Sequence, residues 1–80
     1  MSQMNPTEGW AELVAVIDAG SISKAARHLG IPRASLSRHI AELEERLGVL
    51  LLHRSTRKLT ATQAGTNLYR RARQVLADAE

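Results

Sequence analysis

The 80 residues include no cysteine, which excludes a disulfide framework and thiolate zinc ligation, removes one nucleophile and fits a reducing compartment. No apolar run approaches the roughly 20 residues of a membrane-spanning helix. The polar start, MSQMNPTEG, lacks the basic-then-apolar order of a secretion signal. A soluble, cytoplasmic protein without membrane contact is therefore the expectation. The length leaves no room for a second hidden domain, and the helices must share one apolar centre. Constellations of the enzymatic kind are missing as well. His28, His39 and His53 show no metal-ligand spacing, and no glycine-rich phosphate loop follows a strand. Ser37 and His39 lie two apart on one helix and so do not face each other. A non-enzyme without metal or cofactor is expected, its histidines serving as polar surface or as phosphate-side contacts.

What the sequence does contain is a bihelical corner at residues 21–47, SISKAARHLGIPRASLSRHIAELEERL. Ile22, Ala25, Ala26 and Leu29 share one helical face, and Gly30 can take the left-handed conformation that closes a helix. Pro32, with its fixed φ, suits the first position of the next one. There Leu36, Ile40, Leu43 and Leu47 recur at spacings of four, three and four as a narrow apolar stripe. A short helix, a glycine turn and a longer helix make the pattern of a helix-turn-helix.

Opposite that stripe lie Ala34, Ser37, Arg38 and Ala41, flanked by Arg33, Ser35 and His39. Small residues alternating with hydrogen-bonding ones suit a recognition helix, residues 33–47, whose N-terminal half meets base edges in a major groove. Glu42, Glu44 and Glu45 would be repelled by phosphate, so the C-terminal half is expected to lean away.

Net charge is +3, and its distribution says more than its size. Every acid lies in residues 8–18, 42–45 or 78–80, while the intervals between them carry only Lys and Arg. Such segregation builds a positive face suited to a polyanion, where an even mixture would make an ordinary solvated surface.

Along the chain, Asn5, Pro6 and Glu8 read as a helix start, with Trp10, Leu13, Val14 and Ile17 as its core face and Gly20 as its end. Trp10 is the sole tryptophan; it shares that stripe, although a base-stacking role stays open. Ser21 or Ser23 caps the next helix, and Ser23 has a second use as a phosphate contact beside Lys24 and Arg27. After Gly48 the spacing turns strand-like. Residues 50–54 and 57–61 form a hairpin with His53, Arg54, Arg57 and Lys58 at its tip and edges. These cations either enter a minor groove or keep a strand edge from pairing. Thr62 is placed to cap a last helix on which Leu68, Ala72, Val75, Leu76 and Ala79 form a stripe. Its distal part suits a two-fold antiparallel pair. Arg70, Arg71 and Arg73 lie off that stripe as mostly solvated charge.

An ordered set of these residues resembles the N-terminal domain of LysR-type transcriptional regulators. It comprises Gly20-Ser21-Ile22-Ser23, Ala25-Ala26, Leu29, Leu36-Ser37-Arg38, Ile40, Leu43-Glu44, Leu47-Gly48, Leu51-Leu52, Arg54, Leu59 and Thr62-Gln63-Ala64-Gly65. The resemblance implies a mainly α fold: a winged helix-turn-helix of three helices and a two-stranded wing over residues 1–62, then a linker and dimerisation helix at 63–80. It implies double-stranded DNA as partner, at an interrupted, partly palindromic, A·T-containing site, and a bacterial homodimer joined through Leu68, Ala72, Val75 and Leu76. By position, Arg33, Ala34, Ser37 and Arg38 would read bases and Arg57 would reach the minor groove. Ser23 would by position meet phosphate, and the charge and placement of Lys24, His39, Arg54 and Lys58 suit contacts along the backbone or at the minor groove. A small effector would act only through a further domain that this chain does not include. The sequence departs from the family in having Ile22 and Leu52 where phenylalanine is common, and Pro32-Arg33 where a polar cap and a glutamine are common. The first pair changes core filling; the second bears on base preference.

Two rival classes differ in what they need. An enzyme needs a constellation absent here, and a protein-interaction winged helix needs an apolar recognition face where this chain carries Arg33, Ser37 and Arg38.

Overall fold

In the computed structural model, which describes residues 6–54 and 58–78, the elements run α1 (Trp10–Ala19), α2 (Ile22–Leu29), α3 (Arg33–Leu47), β1 (Leu52–Arg54), β2 (Leu59–Ala61) and α4 (Gln63–Asp78). The architecture is the mainly α winged helix-turn-helix with a following helix that the residue pattern implies. α1 ends on Gly20, α2 on Gly30 and α3 on Gly48, all with left-handed backbones. The recognition-helix span of 33–47 coincides with α3. Among the described residues no helix is long and apolar enough to cross a membrane.

The first helix begins later than its sequence suggests. Residues 6–9 form turns, with the Trp10 N–H donating to the Thr7 carbonyl at 3.1 Å, and Gly9 has φ +90°. A left-handed residue interrupts the helical run there, so α1 starts at Trp10 and Pro6 lies outside it. Asn5 lies outside the described residues.

One core joins Leu13 and Val16 of α1, Ala25 and Ala26 of α2, Leu36, Ile40 and Leu43 of α3, and Leu51 and Leu52 before and in the wing. Trp10, Ile17 and Ile22 pack against it partly buried. Four sequence expectations change. Val14, placed on the core face of α1, is half-buried and stands outside the core cluster. Val16, absent from the predicted face of α1, is fully buried, because α4 packs on α1 in addition to α2 and α3 and widens the covered arc. Leu29 and Leu47, placed on the stripes, are 38% and 47% exposed, since both stand at helix C-termini where the neighbouring helix no longer covers them.

The wing is antiparallel, pairing Leu52 with Ala61, His53 with Thr60 and Arg54 with Leu59. Among the described residues its strands are shorter than predicted: 50 and 51 precede β1 and 58 precedes β2, while 57 lies outside the described residues. Leu50 is 64% exposed, and the Leu51 N–H goes to the Glu44 carboxylate at 2.8 Å, not to a strand partner. The predicted Thr62 cap is present: its Oγ1 accepts the Gly65 N–H at 2.9 Å and donates to the Leu50 carbonyl at 2.7 Å. One turn into α4 the backbones touch. A Cβ at Gly65 would stand 1.9 Å from the Leu51 carbonyl oxygen, so only glycine lets α4 sit this close to the wing.

Candidate nucleic-acid interface

α3 starts without a side-chain cap. Pro32 (φ −62°, ψ 144°) sits at the N-cap itself, one position before the first helical residue predicted for it, and its carbonyl accepts the Leu36 N–H at 3.1 Å. The amides of the first turn therefore have no intrahelical acceptor and face outward from the helix end. With Leu36, Ile40 and Leu43 buried, the helix turns Arg33, Ala34, Arg38 and Ala41 outward, with Ser35 and Ser37 half-buried on the flanks. No acid occurs on α3 before Glu42.

The cations sort into two groups. Arg46 donates to the Glu8 carbonyl at 2.7 Å and lies 3.9 Å from its carboxylate, Arg54 is 3.7 Å from Glu44, and Arg73 is 3.9 Å from Asp18. Among the described residues no carboxylate pairs with Arg33 or Arg38. Two fixed positive charges on one edge of α3 are thus left uncompensated, together with exposed Lys24 and Arg27 on α2.

The start of α2 resolves the cap. Ser21 accepts the Lys24 N–H at 3.2 Å, leaving Ser23 in the first turn with an exposed side chain. Ser21, Ser23, Arg33, Arg54 and Leu59 line one cleft where the starts of α2 and α3 meet the wing. Residues far apart in sequence are brought together there. His53 and Lys58 are exposed, and Arg57 lies outside the described residues.

Three predicted site residues have different surroundings from those expected. The His39 ring faces α1, with Nδ1 3.5 Å from Glu12 and that atom buried, so it points along the α1 side of α3 and not with Arg38. The Arg54 guanidinium is drawn to Glu44. Ala72, predicted on a dimer stripe, is fully buried within its own chain; Leu68 and Leu76 are half-buried, and Val75 is 37% exposed.

Sequence reasoning missed the role of Glu44, the single charged residue buried among those described. Its position was a usable indication: one turn after Ile40, it falls beside the apolar stripe and not opposite it. The contact of Tyr69 with Asp18, 51 residues away, left no local trace. Among the described residues, no group of His, Asp and Glu is arranged to hold a metal. What the surface offers is a polar, cationic helix edge for a polyanion.

Residues 10–66 match the model of the bacterial regulatory helix-turn-helix protein, lysR family. The chain is 43% identical over 65 residues to the HTH-type transcriptional regulator CrgA of Neisseria meningitidis, covering 81% of this chain and 22% of that protein. Among solved structures it resembles the DNA-binding domain of BenM in complex with catB site 1 DNA, with a TM-score of 0.89 and 37% identity over 95% of this chain and 84% of that one. It also resembles the CbnR DNA-binding domain in a DNA complex, with a TM-score of 0.86 and 34% identity over 95% and 86%. The chain spans about a fifth of the length of the curated relatives it matches.

Proposed function

Because the chain belongs to the lysR family of bacterial regulatory helix-turn-helix proteins, which are transcriptional regulators and not enzymes, we propose that it binds double-stranded DNA sequence-specifically, with α3 in the major groove and the wing at the minor groove. The observation that carries this reading is the pair of arginines, Arg33 and Arg38, that have no carboxylate partner among the described residues and stand on the exposed N-terminal half of α3. Arg38 has the planar fork for a bidentate contact to guanine, and Ala34 and Ser37 let the helix approach closely. Ser23, Lys24, Arg54 and Lys58 lie along the backbone and Arg57 in the minor groove; a backbone role for His39 requires its ring to leave Glu12. Solved DNA complexes of similar domains support the reading.

A second copy joins through the remaining surface of α4, at Leu68, Val75 and Leu76, so that the target is an interrupted palindrome containing A·T pairs. Control by a small effector belongs to a domain outside these residues.

Selection of bound sequences from a random duplex pool tests this. An enriched motif with two-fold symmetry is expected, and a pool that stays random after repeated rounds refutes sequence-specific binding. A protein-interaction module would also give affinity for DNA that is nearly flat with salt, whereas phosphate contacts make it fall steeply on a log-log plot.

A further inference from the structure

α4 is held to α1 by more than apolar packing. The Tyr69 hydroxyl donates to Asp18 Oδ1, and Arg73 Nη1 donates to the Tyr69 hydroxyl at 2.9 Å. Arg73 Nη1 also lies 3.9 Å from Asp18 Oδ1, and its guanidinium stands over the Tyr69 ring, 5.7 Å from the centroid. Tyr69 and Arg73 are one turn apart on α4, and Asp18 stands in the last turn of α1. Three side chains therefore close a loop of directional contacts between the two helices.

Apolar contacts such as Ala72 on the core tolerate small rotations about the helix axis, whereas a hydrogen bond weakens steeply as its angle departs from linear. The clamp, whose Asp18 and Arg73 side chains are 50% and 61% exposed, thus adds a directional restraint on how α4 rotates against α1. Its anchor, Asp18, lies two residues before Gly20 and four before Ile22, where α2 begins, the helix that carries Ser23 and Lys24. The direction of α4 is in this way referred to the surface that faces DNA. In a two-fold pair joined at α4, that direction determines how far apart, and at what relative rotation, the two copies of α3 stand.

We propose that Asp18, Tyr69 and Arg73 are positioning residues that determine which half-site spacing the dimer accepts. This rests on the dimer reading given above, and none of the three touches DNA. Tyr69 is the sole tyrosine of the chain, and Tyr69→Phe keeps the ring while removing the hydroxyl that bridges both partners.

The experiment measures affinity of the whole chain for duplexes with two half-sites whose spacer is varied one base pair at a time, and for a single half-site. The unmutated chain has one sharp optimum. Tyr69→Phe lowers the preference for that optimum by roughly two- to tenfold, the range one hydrogen bond supplies, and leaves single-half-site affinity unchanged. Asp18→Asn, which keeps an acceptor oxygen, retains more of the preference than Asp18→Ala. Loss of folding would instead lower affinity for every probe. Spacer profiles of Tyr69→Phe and the unmutated chain that superimpose overturn the proposal. An unmutated chain that binds one and two half-sites equally overturns it together with the dimer reading, and is recognisable because no variant is needed to see it.

Discussion

The carboxylate of Glu44 accepts the backbone N–H of Leu51 at 2.8 Å, tying the last turns of α3 to the segment that leads into the wing. The same oxygen lies 3.3 Å from the Leu52 N–H, and the other faces Arg54. A buried carboxylate is tolerated here because it satisfies amides that the short β1 strand leaves without a partner.

Removing it strands those amides. Glu44→Ala is expected to destabilise the fold by about 1–3 kcal/mol, and Glu44→Gln, which keeps one acceptor oxygen, by less. For a domain of this size each 1 kcal/mol lowers the melting temperature by roughly 4–8 °C. Thermal denaturation followed by circular dichroism checks the order; a melt for Glu44→Ala unchanged from that of the natural residue rules out the anchoring role.

Gly65 makes the companion case. An alanine there would drive its Cβ to 1.9 Å from the Leu51 carbonyl oxygen, and backbone atoms of both elements would have to part. The expected cost is at least about 2 kcal/mol, in the overpacking range. Gly20→Ala is the control: nothing lies within 4 Å of its Cβ, and only the left-handed φ of +72° is strained, at roughly 1 kcal/mol. Equal losses for the two variants, read by urea denaturation, would show that contact with Leu51 adds nothing.

These contacts mark where the sequence stops being informative. The recognition helix was legible because its apolar residues recur at one period and its glycine and proline punctuate it, so α3 begins at Arg33 and ends at Leu47 as read. The outward placement of Arg33 and Arg38 follows from the same period. For Glu44 the sequence suggests only repulsion from phosphate; its burial agrees with the period that sets it beside Ile40, while the amides it anchors leave no local pattern. His39 and Arg54 were legible as cationic or polar positions, but their partners, Glu12 and Glu44, depend on how α1 and the wing meet α3. Such pairings are set by tertiary packing and carry no local pattern. The start of α1 was misplaced for a related reason: a proline and a glutamate at capping spacing suggest a helix start, while Gly9 passing over Leu43 decides it.

The division of the arginines into free and paired groups separates affinity from stability. Arg38→Ala is expected to weaken binding to the selected site by about 1–3 kcal/mol, with most of the loss absent on unrelated sequence, and Arg33→Ala to act in the same direction. Neither should move the melting temperature, because neither pairs with a carboxylate among the described residues. Arg46→Ala is the counterpart: it loses the Glu8 contacts and should lower stability while sparing sequence discrimination. Fluorescence anisotropy on cognate and scrambled duplexes measures this, and an Arg38→Ala variant with unaltered discrimination would remove Arg38 from base reading.

Part of α4 is left uncovered by its own chain. Val75 is 37% exposed, whereas Ala72, three residues earlier, has no surface left. If a second copy covers that side, Val75→Asp places a charge in the interface without entering the core. Sedimentation should then report monomers, and affinity for a two-half-site probe should fall far more than affinity for one half-site, since the linked second binding event is lost. Leu76→Asp should act alike, with some added loss of stability because Leu76 is half-buried. Ala72→Asp should instead unfold the chain, as an unpaired charge would be forced into the core. A Val75→Asp variant that sediments as the unmutated chain does, and loses affinity equally on both probes, would place the partner contact elsewhere than on this side of α4.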